Sequence, residues 1–221
     1  MSTEPKTLVV SFAGNGLAYG GVPKIEFKNF LKQHFSHFDA QFYIDDTCQC
    51  YHHGMQGISK NIDETTEYLR AAFEGYDRII CLGSSAGGYA AILFGSLLKV
   101  DSVIAFIPQT VLTSPDRNER YRNLKPHINP TTNYFLYGDI SIDDMNNCHH
   151  ISQCENIAML SNVKLHKLRG VNLKALKHSG QLLKIIQCNI EGKEIPIERH
   201  IPHLGKFNHL HRFFFVKLVG A

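Results

Sequence analysis

The segment from Asp77 to Val100, DRIICLGSSAGGYAAILFGSLLKV, constrains the fold of this chain more than any other part of the sequence. Arg78-Ile79-Ile80-Cys81-Leu82 is short, apolar and rich in β-branched residues, the pattern of a strand covered on both faces. Gly83-Ser84-Ser85-Ala86-Gly87 then fits G-x-S-x-G with Ser85 at the centre. From there Tyr89, Ala90, Ile92, Leu93, Leu97 and Leu98 recur at helical spacing. A strand, a sharp turn and a helix, with a serine at the turn, is how a nucleophilic hydroxyl is presented. The glycines on either side are needed because a strained strand-to-helix turn leaves no room for side chains two residues before and after the serine.

Further strands are predicted at Thr7 to Phe12, Phe38 to Ile44, Ser102 to Ile107, Asn133 to Tyr137 and Val163 to Leu168. Between them, helical periodicity runs over Ile25 to His34, Asn61 to Phe73, Asn147 to Leu160 and Ser179 to Asn189. Strands alternating with helices imply an α/β fold with a mostly parallel sheet covered on both faces. At 221 residues the chain has room for one well-buried domain. Residues 1–190 are expected to form it, with 191–221 as a C-terminal extension. The extension is rich in His, Lys and Arg and carries Phe213-Phe214-Phe215, which is expected to pack on the domain or in an oligomer contact.

The formal net charge of +3 and the lack of a Lys/Arg run argue against nucleic acid as the main partner. No apolar run approaches the ~18 residues of a membrane span. The first residues show no basic segment followed by a long apolar one, so a cytoplasmic location is expected. Six scattered cysteines read as free thiols. Cys48, Cys50, His52 and His53 fall within six residues, but no second ligand pair accompanies them, so they read as a polar loop near the site edge rather than a metal centre. No cofactor is expected.

The order of these features resembles the α/β-hydrolase fold in compact form, a three-layer sandwich with a minimal lid, over roughly Thr7 to Asn189. Phe12-Ala13-Gly14 after the first strand, Gly87-Gly88-Tyr89-Ala90-Ala91 after the serine, and Ala105-Phe106-Ile107-Pro108-Gln109 are similar to small α/β-hydrolases encoded with bacterial polysaccharide and capsule genes, of esterase or O-acyltransferase type. The resemblance implies Ser85 as nucleophile, with the backbone N–H of Ala86 as one oxyanion donor and Phe12 or Ala13 supplying the other. It places an acid in the turn after NYFLYG, where Asp139, Asp143 and Asp144 compete. It also places a histidine in the loop after the last strand. That loop, Gly170 to Lys177, contains none, and the first available is His178. His166, His53, His149 and His150 are the substitutes.

The connection Thr110 to Thr132 occupies the place of a lid and is too short for a cap domain. Arg117 and Arg120 lie in it and, with His53, are expected to face substrate. Their charge suits a phosphate- or carboxylate-bearing molecule such as an acyl-CoA or an acidic glycan. The function implied is a serine hydrolase or acyltransferase working through an acyl-serine on an ester or thioester, with a role in polysaccharide modification. The alternative, motivated by the missing histidine, is a binding or scaffolding protein on the same fold that has lost the reaction.

Overall fold

The topology of the central sheet sets where chemistry can occur. A computed structural model describes residues 5–15, 18–19, 22–23 and 25–191. Among the described residues the strands are β1 (Thr7–Phe12), β2 (Ala18–Tyr19), β3 (Val22–Pro23), β4 (Asp39–Tyr43), β5 (Arg78–Ser84), β6 (Ser102–Phe106), β7 (Asn133–Asp139) and β8 (Val163–Leu168). β2 and β3 form a two-residue antiparallel ribbon. The other six make one all-parallel sheet in the order β4-β1-β5-β6-β7-β8. The chain steps outward from β1 to β4 and then returns to the other side of β1 as β5. The loops that leave β1 and β5 therefore diverge at a topological switch point, where open α/β sheets hold their ligands.

Alternation along the strands divides the core in two. Leu8, Val10, Phe12, Cys81, Val103, Ala105, Tyr134 and Leu136 face one apolar layer, shared with α2 (Ile62–Ala72), α3 (Ala86–Leu98) and α4 (Ile151–Ala158). Val9, Ile80, Leu82, Ile104, Phe106, Tyr137 and Leu168 face the other, shared with α1 (Lys28–His34), α5 (Leu173–His178) and α6 (Gln181–Glu191). The result is the α/β sandwich that the sequence implies. In α3 every residue from Ala86 to Ser96 is buried. A helix that is apolar on all sides belongs inside, and here it fixes the serine turn to the middle of the sheet.

The strand boundaries agree with the sequence reading to within about two residues, but the helix starts differ. Phe27 sits in the left-handed region at φ 63°, so α1 begins at Lys28 instead of Ile25. α4 begins at Ile151 instead of Asn147, because Asp144 and Asn147 turn their side chains onto the backbone N–H groups of Asn146 and His149. Such Asx turns compete with helix. Gly170 to Lys177, read as loop, contains the start of α5, whose N-cap Asn172 accepts the Ala175 N–H. The segment after β6 closes on itself through two bonds, Leu112 N–H to Arg122 O and Leu124 N–H to Thr110 O, and holds two 3-10 turns, Glu119–Tyr121 and Lys125–His127. Among the described residues no helix is long and apolar enough to cross a membrane. The extension expected over 191–221 lies, apart from Glu191 at the end of α6, outside the described residues.

Candidate active site

Ser85 stands at the switch point, between β5 and α3, with φ 56° and ψ −122°. An L-residue in this conformation is strained, and strain at a site is held only by surrounding structure. The constraint is visible on both sides. The Ser85 N–H donates to Phe106 O at 3.0 Å and the Ser85 carbonyl accepts from Tyr89 N–H at 3.0 Å. A Cβ on Gly83 would be driven into the Gly87 carbonyl, and one on Gly87 into the Phe12 carbonyl. The elbow is thus packed backbone to backbone against the end of β1. Gly14 shares in this, since a Cβ there would come within 2.9 Å of Ser84 O.

The group that meets the serine hydroxyl is His149, with Ser85 Oγ 2.7 Å from Nε2. His149 comes from the loop after β7, not from the loop after β8. The two Asx turns curl that loop back over the sheet end, and a parallel bridge pairs His150 with Asp139. Burial lowers the basicity of His149, and the charge of Asp139 acts in the opposite direction with smaller effect. The imidazole is held below its ordinary value of about 6.5 and is neutral at pH 7. A neutral imidazole with Nε2 against a serine hydroxyl is the arrangement of a general base.

The other candidate residues are distributed as follows. His178, which chain order made the expected base, is the last residue of α5 and is exposed to solvent; the post-β7 loop supplies the imidazole in its place. Asp139 is 6 % exposed at the end of β7. Its Oδ1 accepts from Ser141 N–H at 2.8 Å, Ser141 Oγ–H at 2.6 Å and Gly170 N–H at 2.9 Å, and its Oδ2 from Val171 N–H at 2.8 Å. The carboxylate therefore ties the ends of β7 and β8 together and influences His149 through its charge. Asp143 and Asp144 are exposed, with Asp144 engaged in its Asx turn. His166 on β8 stacks on Tyr137, with ring centroids 4.9 Å apart.

Of the oxyanion candidates, Ala86 is the first residue of α3, where N–H groups have no acceptor within the helix, and Ser85 adds no side-chain cap. The Ala13 N–H is already committed to Tyr43 O at 2.9 Å, extending the ladder between β1 and β4. Phe12 is in register with Tyr43 and Gly83 inside the sheet. Arg120 is exposed over the Tyr121 ring and lines a surface groove of about 680 Å³ with Asp63, Glu67 and Arg70. Neither Ser85 nor His149 lines this groove. His53 is exposed.

Its neighbour His52, expected in a polar loop at the site edge, is buried. Nδ1 accepts the Asn118 N–H at 2.8 Å, so Nε2 carries the proton and donates to Tyr89 Oη at 2.8 Å; Tyr89 in turn donates to Tyr121 O at 2.7 Å. Burial and the nearby Arg117 push His52 down to about 4. This neutral relay clamps the segment after β6 to the helix that carries Ser85. Among the described residues no group of His, Cys, Asp and Glu is placed to hold a metal ion, and the cysteines carry no disulfide.

A sheet of this topology, with a strained serine after its central strand, defines the α/β-hydrolase fold, and comparison with solved structures agrees. The chain is similar to the capsule O-acetyltransferase of Neisseria meningitidis serogroup A, in complex with CoA, at TM-score 0.58 and 14 % identity over 82 % of this chain and 87 % of that one. It is also similar to MGS-M2, an α/β-hydrolase enzyme from a deep-sea metagenome library (TM-score 0.57, 10 % identity, 90 % and 94 % covered). A lipase/esterase from Lactobacillus plantarum gives TM-score 0.56 at 12 % identity, covering 86 % and 88 %. No protein-family model and no curated protein matches the sequence. The fold of this chain is that of the α/β-hydrolases.

Proposed function

We propose that the protein is a serine-dependent acyl-transfer enzyme that forms an acyl-Ser85 intermediate from an ester or thioester. The observation that carries this reading is the 2.7 Å contact between His149 Nε2 and the hydroxyl of a residue strained into the elbow. Ser85 Oγ attacks the acyl carbonyl carbon as its proton passes to His149 Nε2. The oxyanion that forms is met by the Ala86 N–H. With the Ala13 N–H committed elsewhere, the second donor falls to Gly14, the next residue of the loop packed against the elbow. Collapse of the adduct breaks the bond to the leaving alkoxide or thiolate, which takes the proton from His149. Water or a substrate hydroxyl then gives its proton to His149 and attacks the acyl-serine, restoring Ser85.

Hydrolysis and transfer use the same residues. Structural neighbours include both a lipase/esterase and a capsule O-acetyltransferase in complex with CoA, so acyl-CoA as donor and a glycan hydroxyl as acceptor fit the reading, as does work in the cytoplasm on polysaccharide. A fluorophosphonate probe tests the serine directly. Labelling of the wild type that is absent in Ser85→Ala is expected, and an unlabelled, folded wild type would support the rival, a binding protein on this fold.

Asp139 gives a second expectation. Its charge raises the basicity of His149, so Asp139→Asn should lower the His149 pKa further and move the acidic limb of kcat/KM to lower pH. The rate on the plateau should fall by roughly tenfold as the bonds to Gly170 and Val171 weaken. An acidic limb that moves upward would show that Asp139 does not act on the base through its charge.

A further inference from the structure

Two connections at the carboxyl edge of the sheet are bonded to the segment Cys48 to His52: the loop after β1 through Asn15, which meets Cys48, and the segment after β6 through Asn118, the neighbour of Arg117, which meets His52. Two polar atoms in this cluster are buried without a partner among the described residues, a donor, Arg117 Nη1, and an acceptor, Asn15 Oδ1. The Asn15 orientation is fixed, because its Nδ2 donates to Cys48 O at 3.3 Å. Arg117 joins neither of the ion pairs found among the described residues, Arg70 with Glu67 and Lys167 with Glu155. Arg117 as a whole is half-buried, but a guanidinium nitrogen shut off from water is normally paired, since leaving it without a partner is costly. Arg117 is nevertheless held in place, because the next residue, Asn118, gives its N–H to His52, and His52 is bonded to Tyr89, one turn beyond Ser85. The Cys50 thiol in the same segment, pushed up to about 11 chiefly by burial, also responds to Arg117 and to the Asn15 side chain.

From this convergence we infer that the substrate carries an oxyanion, carboxylate or phosphate, bound by Arg117 Nη1, and beside it a hydroxyl or N–H that donates to Asn15 Oδ1. The inference rests on the proposed acyl-transfer site and names the chemical class it accepts. An anionic sugar with a neighbouring hydroxyl satisfies both atoms as acceptor, and the phosphates and amides of coenzyme A satisfy them as donor. A planar guanidinium on a clamped loop suits such oxygens better than an ammonium does.

Binding can be read without turnover by titrating the labelled protein in NMR with coenzyme A, glucuronate and glucose 6-phosphate, against pantetheine and glucose as neutral counterparts. At least one anion is expected to bind roughly tenfold or more tightly than its neutral counterpart. Arg117→Gln should remove that preference, Arg117→Lys should keep part of it, and Asn15→Ala should weaken the anion that binds. Preference for coenzyme A assigns the site to the acyl donor, and preference for either sugar assigns it to the acceptor. Equal binding of charged and neutral probes, or a preference that survives Arg117→Gln, overturns the inference. If fluorophosphonate labelling of Ser85 persists in that event, the acyl-transfer reading stands. If labelling fails while anion binding depends on Arg117, the reverse holds.

Discussion

Replacing His149 with alanine should lower kcat/KM by about 10⁴-fold or more, on the scale seen when the base of a serine nucleophile is removed. The hydroxyl of Ser85 is a poor nucleophile until a proton acceptor stands against it, and His149 Nε2 is the group at 2.7 Å. The fluorophosphonate labelling rate should fall with it, since that probe also needs the activated hydroxyl. His178→Ala, by contrast, alters an exposed residue at the end of α5 and should leave the rate near the wild-type value. A large loss in His178→Ala with little in His149→Ala would reverse the assignment. The wild-type rate should hold to pH values below the ordinary histidine range before falling, because burial depresses the His149 pKa and only the neutral ring accepts the proton.

Gly83→Ala and Gly87→Ala should each be strongly destabilising. The added methyl in each case is directed at a backbone carbonyl, Phe12 O or Gly87 O, that belongs to the central sheet or its helix and has no room to move. A loss of about 3 kcal/mol or more is expected, a large part of the stability of a domain. Gly75→Ala provides the contrast. Gly75 has φ +80° but open space where its Cβ would lie, so only the backbone cost applies, about 1–2 kcal/mol. Urea midpoints for the three variants would separate collision from conformational strain, and equal losses would show that the elbow glycines are not sterically required.

The sheet was legible because each of its inner strands is a short apolar run that has to be covered on both faces, and because the serine turn combines glycine spacing with a change of period from strand to helix. The imidazole that meets Ser85 was harder to read. Chain order within the fold points beyond β8, and the loop there offers no histidine before His178. The features that place His149 are local: Asp144 and Asn147 fold the loop back, and His150 bridges to Asp139. Asx turns in series ahead of a helix are a sequence signal, but their direction depends on where β7 ends. That end is Asp139, two residues beyond the apolar run. His52 and Asn15 carried no periodicity, and their roles emerge only when separate loops meet.

The bonds from Gly170 and Val171 to Asp139 have a consequence for how the protein matures. A chain growing from the ribosome has both Ser85 and His149 available once β7 and its loop have emerged. At that stage the edge position beside β7 is empty, and Asp139 lacks the two backbone donors that lie beyond β8. The Ser85–His149 pair is therefore synthesised before the strand that brings those donors to Asp139, and under the proposed reaction full competence would follow the docking of β8.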